Sequence, residues 1–291
     1  MDVNALRAEP PLCARKRAVE GKAGAVDLRT AELCMHDRSR VAFAAAARAG
    51  LPGRFCAFEH KGLLALLTTS PGLGFLNSVS GLTEESLGAL PGVIAVFATA
   101  DAPALSLATG EPTIAMGRGL RRLGFGPAQR RPVGTIDLLP FHAIPADARG
   151  LRVTEARTED EKRLFLYTLA AGYSASAELG RFLRCEHSVP GMRRFLAWQG
   201  DRPVAAAAFS VHRNVAVLGG AATVPAARGS GAQTALLRYR LSQAAAAGAE
   251  SAAVTAAPES ASARNLARVG FTMLRRHGWQ QHHESDGQSG Q

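Results

Sequence analysis

The chain has no apolar run near the roughly 20 residues a helix needs to cross a bilayer. No apolar signal core follows the charged residues Asp2, Glu9 and Arg15-Lys16-Arg17. Both absences point away from membrane-spanning and exported classes and set the expectation of a cytoplasmic protein. Cysteine is scarce: Cys13, Cys34, Cys56 and Cys185 stand far apart, with no C-x-x-C pair and no histidine at ligand spacing. That argues against a disulfide framework and a zinc site, and predicts free thiols and no metal. Aromatic residues make up only 6% and are not interleaved with basic ones, which speaks against a base-stacking nucleic-acid surface. Acidic residues are outnumbered, 24 against 34 Lys and Arg, for a net charge of +10. The surplus comes in doublets such as Arg121-Arg122, Arg130-Arg131, Arg193-Arg194 and Arg275-Arg276. Such a balance suits a polyanionic ligand, a phosphorylated cofactor included, although any single doublet reads as well as a solvated surface.

What is present is enough for two cores. The 291 residues are 47% hydrophobic and alternate helical with strand-like patterns, predicting an α/β chain with mixed sheets. LPFHAIPADARG at Leu139–Gly150 separates two halves. The expected organisation is a loose N-terminus over 1–24, one domain over 25–140, a second over 151–280, and a loose tail over 281–291. In the second half, Thr158 and Glu161 form a capping box before a helix, and a further helix covers Ser176 to Cys185. Strands are predicted at Arg194–Trp198, Val204–His212 and Val215–Val224, a helix from Ala232 stopping at Gly248, a strand at Ser251–Ala256, and a helix from Ser260 closed by Gly270.

Chemistry concentrates where the Val215–Val224 strand turns into the Ala232 helix, through Arg228-Gly229-Ser230-Gly231-Ala232-Gln233-Thr234. Glycines allow positive φ and close backbone approach, and the first helical amides, lacking intrahelical partners, face whatever lies in the turn. Such a helix start binds anions and is suited to a pyrophosphate. A lone Gly-x-Gly more often just turns a corner. The segment is not a P-loop, a G-x-G-x-x-G dinucleotide turn or a nucleophile elbow.

Arg228-Gly229-Ser230-Gly231-Ala232-Gln233 resembles the Arg/Gln-x-x-Gly-x-Gly/Ala pyrophosphate signature of the GNAT superfamily of acyl-CoA N-acyltransferases, departing at Gln233. Ser260 to Gly270-Phe271 resembles the helix after the fifth strand in that superfamily, and the order of elements from Leu151 to Trp279 is similar too. The resemblance implies acetyl-CoA, or a longer acyl-CoA, as co-substrate. It implies CoA contacts at Ala221, Ala222, Thr223, Arg228, Gly229, Ser230, Gly231, Ala232, Gln233, Thr234, Ser260 and Asn265, with the arm entering between splayed strands at Gly219-Gly220. The two usual catalytic groups are missing: Val215–Leu218 carries no carboxylate, and Leu266 takes the place of the tyrosine that reprotonates the thiolate. Glu186 and His187 are the candidate bases, and His212 is expected at the surface.

Leu120-Arg121-Arg122-Leu123-Gly124-Phe125 parallels Leu266 to Phe271 about one domain length earlier. A strand at Gly74–Val79 precedes the turn Ser80 to Ser86, which lacks the Arg and the second glycine and places Glu84 and Glu85 where a pyrophosphate would lie. The first half therefore resembles the non-binding, degenerate copy of a tandem-GNAT protein, each copy a mixed, mostly antiparallel sheet flanked by helices. The expected partner is a small-molecule amine, possible classes being antibiotics, amino sugars and other secondary metabolites, with small residues at 219–222 leaving room for a longer acyl chain, as in enzymes that acylate glycopeptides. The alternative is a CoA-binding or interaction module without catalysis.

Overall fold

The computed structural model describes residues 26–129, 131–138 and 150–281. The expected loose ends and the Leu139–Gly150 linker fall outside these, apart from Gly150 and Gln281. The first half runs α1 (Leu28–Arg48), β1 (Phe55–His60), β2 (Leu63–Thr68), β3 (Ser78–Leu82), α2 (Leu90–Thr99), β4 (Ser106–Thr109), α3 (Ile114–Arg122), β5 (Phe125–Ala128) and β6 (Val133–Asp137). The second runs β7 (Leu151–Glu155), α4 (Glu159–Tyr173), α5 (Ala177–His187), β8 (Arg193–Gln199), β9 (Arg202–His212), β10 (Val215–Thr223), α6 (Ala232–Ala246), β11 (Ser251–Thr255), α7 (Ala261–Val269), β12 (Thr272–Leu274) and β13 (His277–Gln281).

Local chemistry sets many of these boundaries. Asp27 caps α1 by accepting from the Thr30 amide at 2.7 Å. The Thr158–Glu161 capping box starts α4, each partner's side chain meeting the other's backbone. Gly248 and Gly270 follow α6 and α7 with φ of +82° and +103°, which L side chains rarely adopt. One expected strand is displaced: Pro71–Leu76 forms a 3₁₀ turn, and β3 starts only at Ser78. Pro71 opens that turn, and Gly74 lies against Pro103, so the segment packs as a corner and not as an extended edge.

Two mixed sheets result, of six strands in the order β1-β2-β3-β4-β13-β5 and of seven in the order β12-β6-β11-β10-β9-β8-β7. Each sheet borrows a strand from the other half of the chain. β6 leaves the first half to pair with β11 and β12, and β13 crosses back to lie between β4 and β5. The expected spans 25–140 and 151–280 are contiguous in sequence, while the sheets are not. Trp279 from β13 is buried in the first core, its indole N–H donating to Thr109 Oγ1 at 3.2 Å.

β9 is buried from Val204 to Ser210 because helices cover both faces. Ala205 and Ala207 pack toward α6, Ala206 and Ala208 toward α4 and α5, following the two-residue period of a strand. Phe195 and Phe209 stack at 5.6 Å within the α6 cluster, each worth about 2 kcal/mol of burial. α1 lies between the halves: Ala31 and Cys34 pack on Val133, Val215, Val217 and Ala253, while Phe43 meets Phe55 and Phe182. This wedge carries a first-half side chain, Arg38, into the second sheet.

Candidate active site

β10 keeps its antiparallel partner β9 to Thr223, but pairs in parallel with β11 only from Val215 to Val217. Past that point the two strands part. On the β9 side the register shifts between Gly219 and Ala222, and Gly220 takes a φ of +53°. A cavity of about 1040 Å³ opens at the parting, lined among others by Leu218 to Thr223, Arg228 to Thr234, Thr255 and Asn265.

The loop feeding α6 is held by two left-handed glycines, Gly229 at φ +84° and Gly231 at φ +88°, the latter being the helix N-cap. The first turn of α6 holds no acidic residue, so its unpaired amides and the positive end of the helix face the cavity without a competing carboxylate. Ser230 Oγ accepts weakly from the Ala232 amide at 3.4 Å. Gln233, the departure from the signature, turns its side chain back to donate to Thr223 Oγ1 at 3.0 Å, tying the helix start to the strand end. Arg228 to Thr234, Ala221 to Thr223 and Asn265 all line the same cavity. Ser260 does not: it caps α7, accepting from the Ala263 amide at 3.1 Å and donating to the Ala257 carbonyl at 2.7 Å.

The three strand amides expected to meet a thioester arm divide. The Ala221 amide donates to the Tyr173 hydroxyl at 2.9 Å. Val224 donates to Val204 across the ladder at 2.9 Å, and the alternation of an antiparallel pair turns the Ala222 amide the same way and the Thr223 amide toward the gap. Tyr173, at the end of α4, is a site residue that sequence reasoning missed. Burial first, and then the Glu186 charge, raise its pKa, which keeps the hydroxyl protonated. Leu266 also lines the cavity and is apolar core.

The two candidate bases lie side by side, Glu186 Oε2 3.5 Å from His187 Nε2, but only one of them lines the cavity. Glu186 lines the cavity and pairs with Arg38 at 3.0 Å. Burial pushes its pKa up, but Arg38 and His187 outweigh that and hold the carboxyl below its ordinary value. His187 sits behind the wall, fully buried, with its ring edge-on to Phe165 at 5.3 Å and packed against Gly220, where a Cβ would collide with it. Burial lowers its pKa to about 4, so the ring is neutral, and neither ring nitrogen has a hydrogen-bond partner among the described residues. His212 is half-buried against α1, its carbonyl accepting from the Cys34 thiol and its Nε2 lying 2.9 Å from Ser210 Oγ.

Two arginines complete the site, and neither was marked by a sequence pattern. Arg38 lies across Gly219, and its Nε makes no hydrogen bond among the described residues. Arg240, on α6, is buried and donates to the Ala208 carbonyl at 3.1 Å, beside the register shift. Burial lowers its pKa to about 10. Arg38 above Gly219, His187 against Gly220 and Gly172 against Ala222 fill the space that these small residues offer to a longer acyl chain.

The counterpart in the first half is closed. β3 and β4 also pair in parallel, with a shift between Val79 and Leu82, yet they pair again at Leu82 and Thr109. Gly81, φ +76°, gives its amide to Glu32 Oε2 at 3.1 Å, and the Arg29 side chain covers it. The turn that follows is tied by its own Thr83 and Ser86 side chains, with the Ser86 hydroxyl accepting from the Thr83 amide at 2.9 Å.

Residues 155–271, in the second half of the chain, match the model of the Acetyltransferase (GNAT) family. The whole fold is similar to solved structures. One is described as a GCN5-related N-acetyltransferase from Kribbella flavida, at 19% identity and TM-score 0.58, covering 82% of this chain and 94% of that one. Another is described as a tandem GNAT protein from the clavulanic acid biosynthesis pathway, at 12% identity and TM-score 0.51, covering 84% and 92%. A third is described as L-PGS from Bacillus licheniformis, at 9% identity and TM-score 0.51, covering 89% and 92%. No curated protein matches the chain. The arrangement of two mixed sheets is similar to that of the tandem GNAT neighbour, and the first half lacks the pyrophosphate loop.

Among the described residues no helix is long and apolar enough to cross a membrane, and no cluster of His, Cys, Asp and Glu is suited to a metal.

Proposed function

We propose that the chain is an acyl-CoA-dependent N-acyltransferase that moves a short acyl group, acetyl by default, to a primary amine of a small molecule, with one CoA site per chain in the second half. The observation that carries this reading is the coincidence in one cavity of the β10–β11 parting and the glycine-held start of α6. The α6 amides, Gly229 and Gly231 hold the pyrophosphate, and the Thr223 amide holds the arm. The side chains packed over Gly219 and Gly220 favour a short acyl group.

Chemically, a neutral amine attacks the thioester carbon, a tetrahedral oxyanion forms, and the thiolate leaves. Arg38 and the buried Arg240 cation give positive potential where that oxyanion develops. Ionised Glu186 holds the incoming ammonium and accepts its proton, directly or through water; Tyr173, kept protonated, reprotonates the departing thiolate, and its phenolate recovers a proton from the new amide nitrogen. His187 shapes the wall behind Gly220 and stays neutral.

The acceptor as an antibiotic or other secondary metabolite, glycopeptides included, is an extension of this reading. Thiol release from acetyl-CoA over a panel of primary amines tests it. Amine-dependent release supports transfer; tight acetyl-CoA binding with no release from any amine supports the second reading, a CoA-binding module without catalysis, which Leu266 and the carboxylate-free Val215–Leu218 favour.

A further inference from the structure

A second chamber, of about 520 Å³, lies between the two sheets. It meets the CoA cavity at Arg38, Leu76, Leu218 and Thr255, where β10 and β11 part. With CoA entering the first cavity from the α6 side, as in the acyl-transfer reading, this second one is the way left for an acceptor to reach the acyl carbon. Its ionised lining is lopsided: Arg38, Arg131 and Arg276 against the single carboxylate Glu32.

The lining also leaves charge without a partner. Arg38 is paired with Glu186, and Arg276 with Glu32 at 3.5 Å. Arg131 has no carboxylate partner among the described residues, and its backbone carbonyl accepts from Arg276 Nε at 2.9 Å, which fixes the Arg276 side chain against that backbone. Arg276 is half-buried and Arg131 is exposed at the rim, and the Arg131 charge, after burial, adds to the lowering of the Arg276 pKa. Like charges that share one lining are unfavourable until an anion joins them, and a guanidinium fork matches a carboxylate or a phosphate.

We infer that the chamber between the sheets takes an acceptor bearing both ends of this polarity: a primary amine at the Arg38–Glu186 junction and a carboxylate or phosphate at Arg131 and Arg276. The inference rests on the acyl-transfer reading for the direction of the amine, while the anion end stands on the chamber alone. Arg131 and Arg276 act as specificity determinants, and neither lines the CoA cavity, so cofactor binding is left untouched. Neutral amines lose this anchor, and amines with a second cation meet repulsion.

The test uses pairs of amines that differ in one anionic group: O-phosphoethanolamine against ethanolamine, glucosamine 6-phosphate against glucosamine, and amino acids against their decarboxylated amines. Each is titrated calorimetrically into the full chain saturated with CoA, and thiol release from acetyl-CoA is followed in parallel. At least one anionic member should bind 10-fold or more tightly than its neutral partner, and Arg131→Gln should remove that advantage without changing CoA affinity. Which pair shows it separates phosphate from carboxylate. Equal binding within every pair, binding of no member, or an advantage that survives both Arg131→Gln and Arg276→Gln would overturn the inference. Thiol release reports separately on acyl transfer: anion-dependent binding with no release keeps the anion site and removes the transferase reading.

Discussion

The parallel pair β3–β4 of the first half and the parallel pair β10–β11 of the second both reach a glycine-marked bulge, and they leave it differently. The first pair rejoins at Leu82 and Thr109, its Gly81 amide taken by Glu32 and its surface covered by Arg29. The second stays apart after Val217, and the loop beyond it carries Gly229 and Gly231 in left-handed conformations ahead of α6. A duplicated framework thus yields one closed strand pair and one open one. The closed half is not idle: it lends β6 to the second sheet and sends Arg38 on α1 into the second site.

The sharpest way to break this comparison is to separate the halves. A fragment of residues 150–291 lacks β6, which pairs with both β11 and β12, and lacks α1, which covers Val215 and Val217. It should show no cooperative thermal transition and no CoA binding; a folded, CoA-binding fragment would mean that the second half stands alone. Next in size, Gly231→Asp forces a side chain into a left-handed N-cap and places a carboxylate where the pyrophosphate approaches, so CoA affinity should fall by roughly 100-fold or more. Circular dichroism should be unchanged. The same substitution at Gly88, in the 3₁₀ turn Leu87–Ala89 that leads into α2 of the first half, should leave CoA affinity as it was.

Smaller effects sharpen the contribution across the halves. Arg38→Met removes the cation paired with Glu186, and kcat should drop by roughly 10²-fold at constant CoA affinity. Arg38 holds the Glu186 pKa below its ordinary value, so its loss should raise that pKa and shift the acid limb of the pH–rate profile upward. An unshifted limb would show that the pair does not govern turnover. With His187 neutral at neutral pH, the wild-type profile should show no histidine step near 6.5 and should follow the substrate ammonium instead.

The smallest effect is on stability. His187 and His36 are both held to about 4 by burial, so they stay neutral in the folded state while an unfolded chain protonates them below about 6.5. Their contribution is complete above pH 6.5 and is lost as pH falls toward 4, by about 3 kcal/mol for each group on its own. Chemical denaturation at stepped pH should show this slope, and His187→Leu should flatten about half of it. A slope that His187→Leu leaves intact would assign the acid sensitivity elsewhere.

The sequence makes visible those parts of this account that depend on neighbours in the chain. The capping box at Thr158, the glycines after α6 and α7, and the loop from Arg228 to Thr234 all follow from local backbone chemistry and stand close to where that chemistry puts them. What stays hidden is long-range. Nothing in Val133–Asp137 tells a strand of its own sheet from one lent to the other. The same holds for His277–Gln281, which crosses back to the first sheet. Arg38 is one arginine among many until α1 lies over Gly219, and Tyr173 ends a helix without any motif. Glu186 and His187 are adjacent in sequence, yet one faces the cavity and the other lies behind its wall, a distinction made by the packing of α5 against α1 and β10.

The central claim is that one half of this chain is open to an acyl-CoA and the other is closed. Calorimetric titration of acetyl-CoA into the full chain measures it directly. The account predicts a single site per chain, lost in Gly231→Asp. Two sites per chain, or one that persists at full affinity in a folded Gly231→Asp variant, would contradict it.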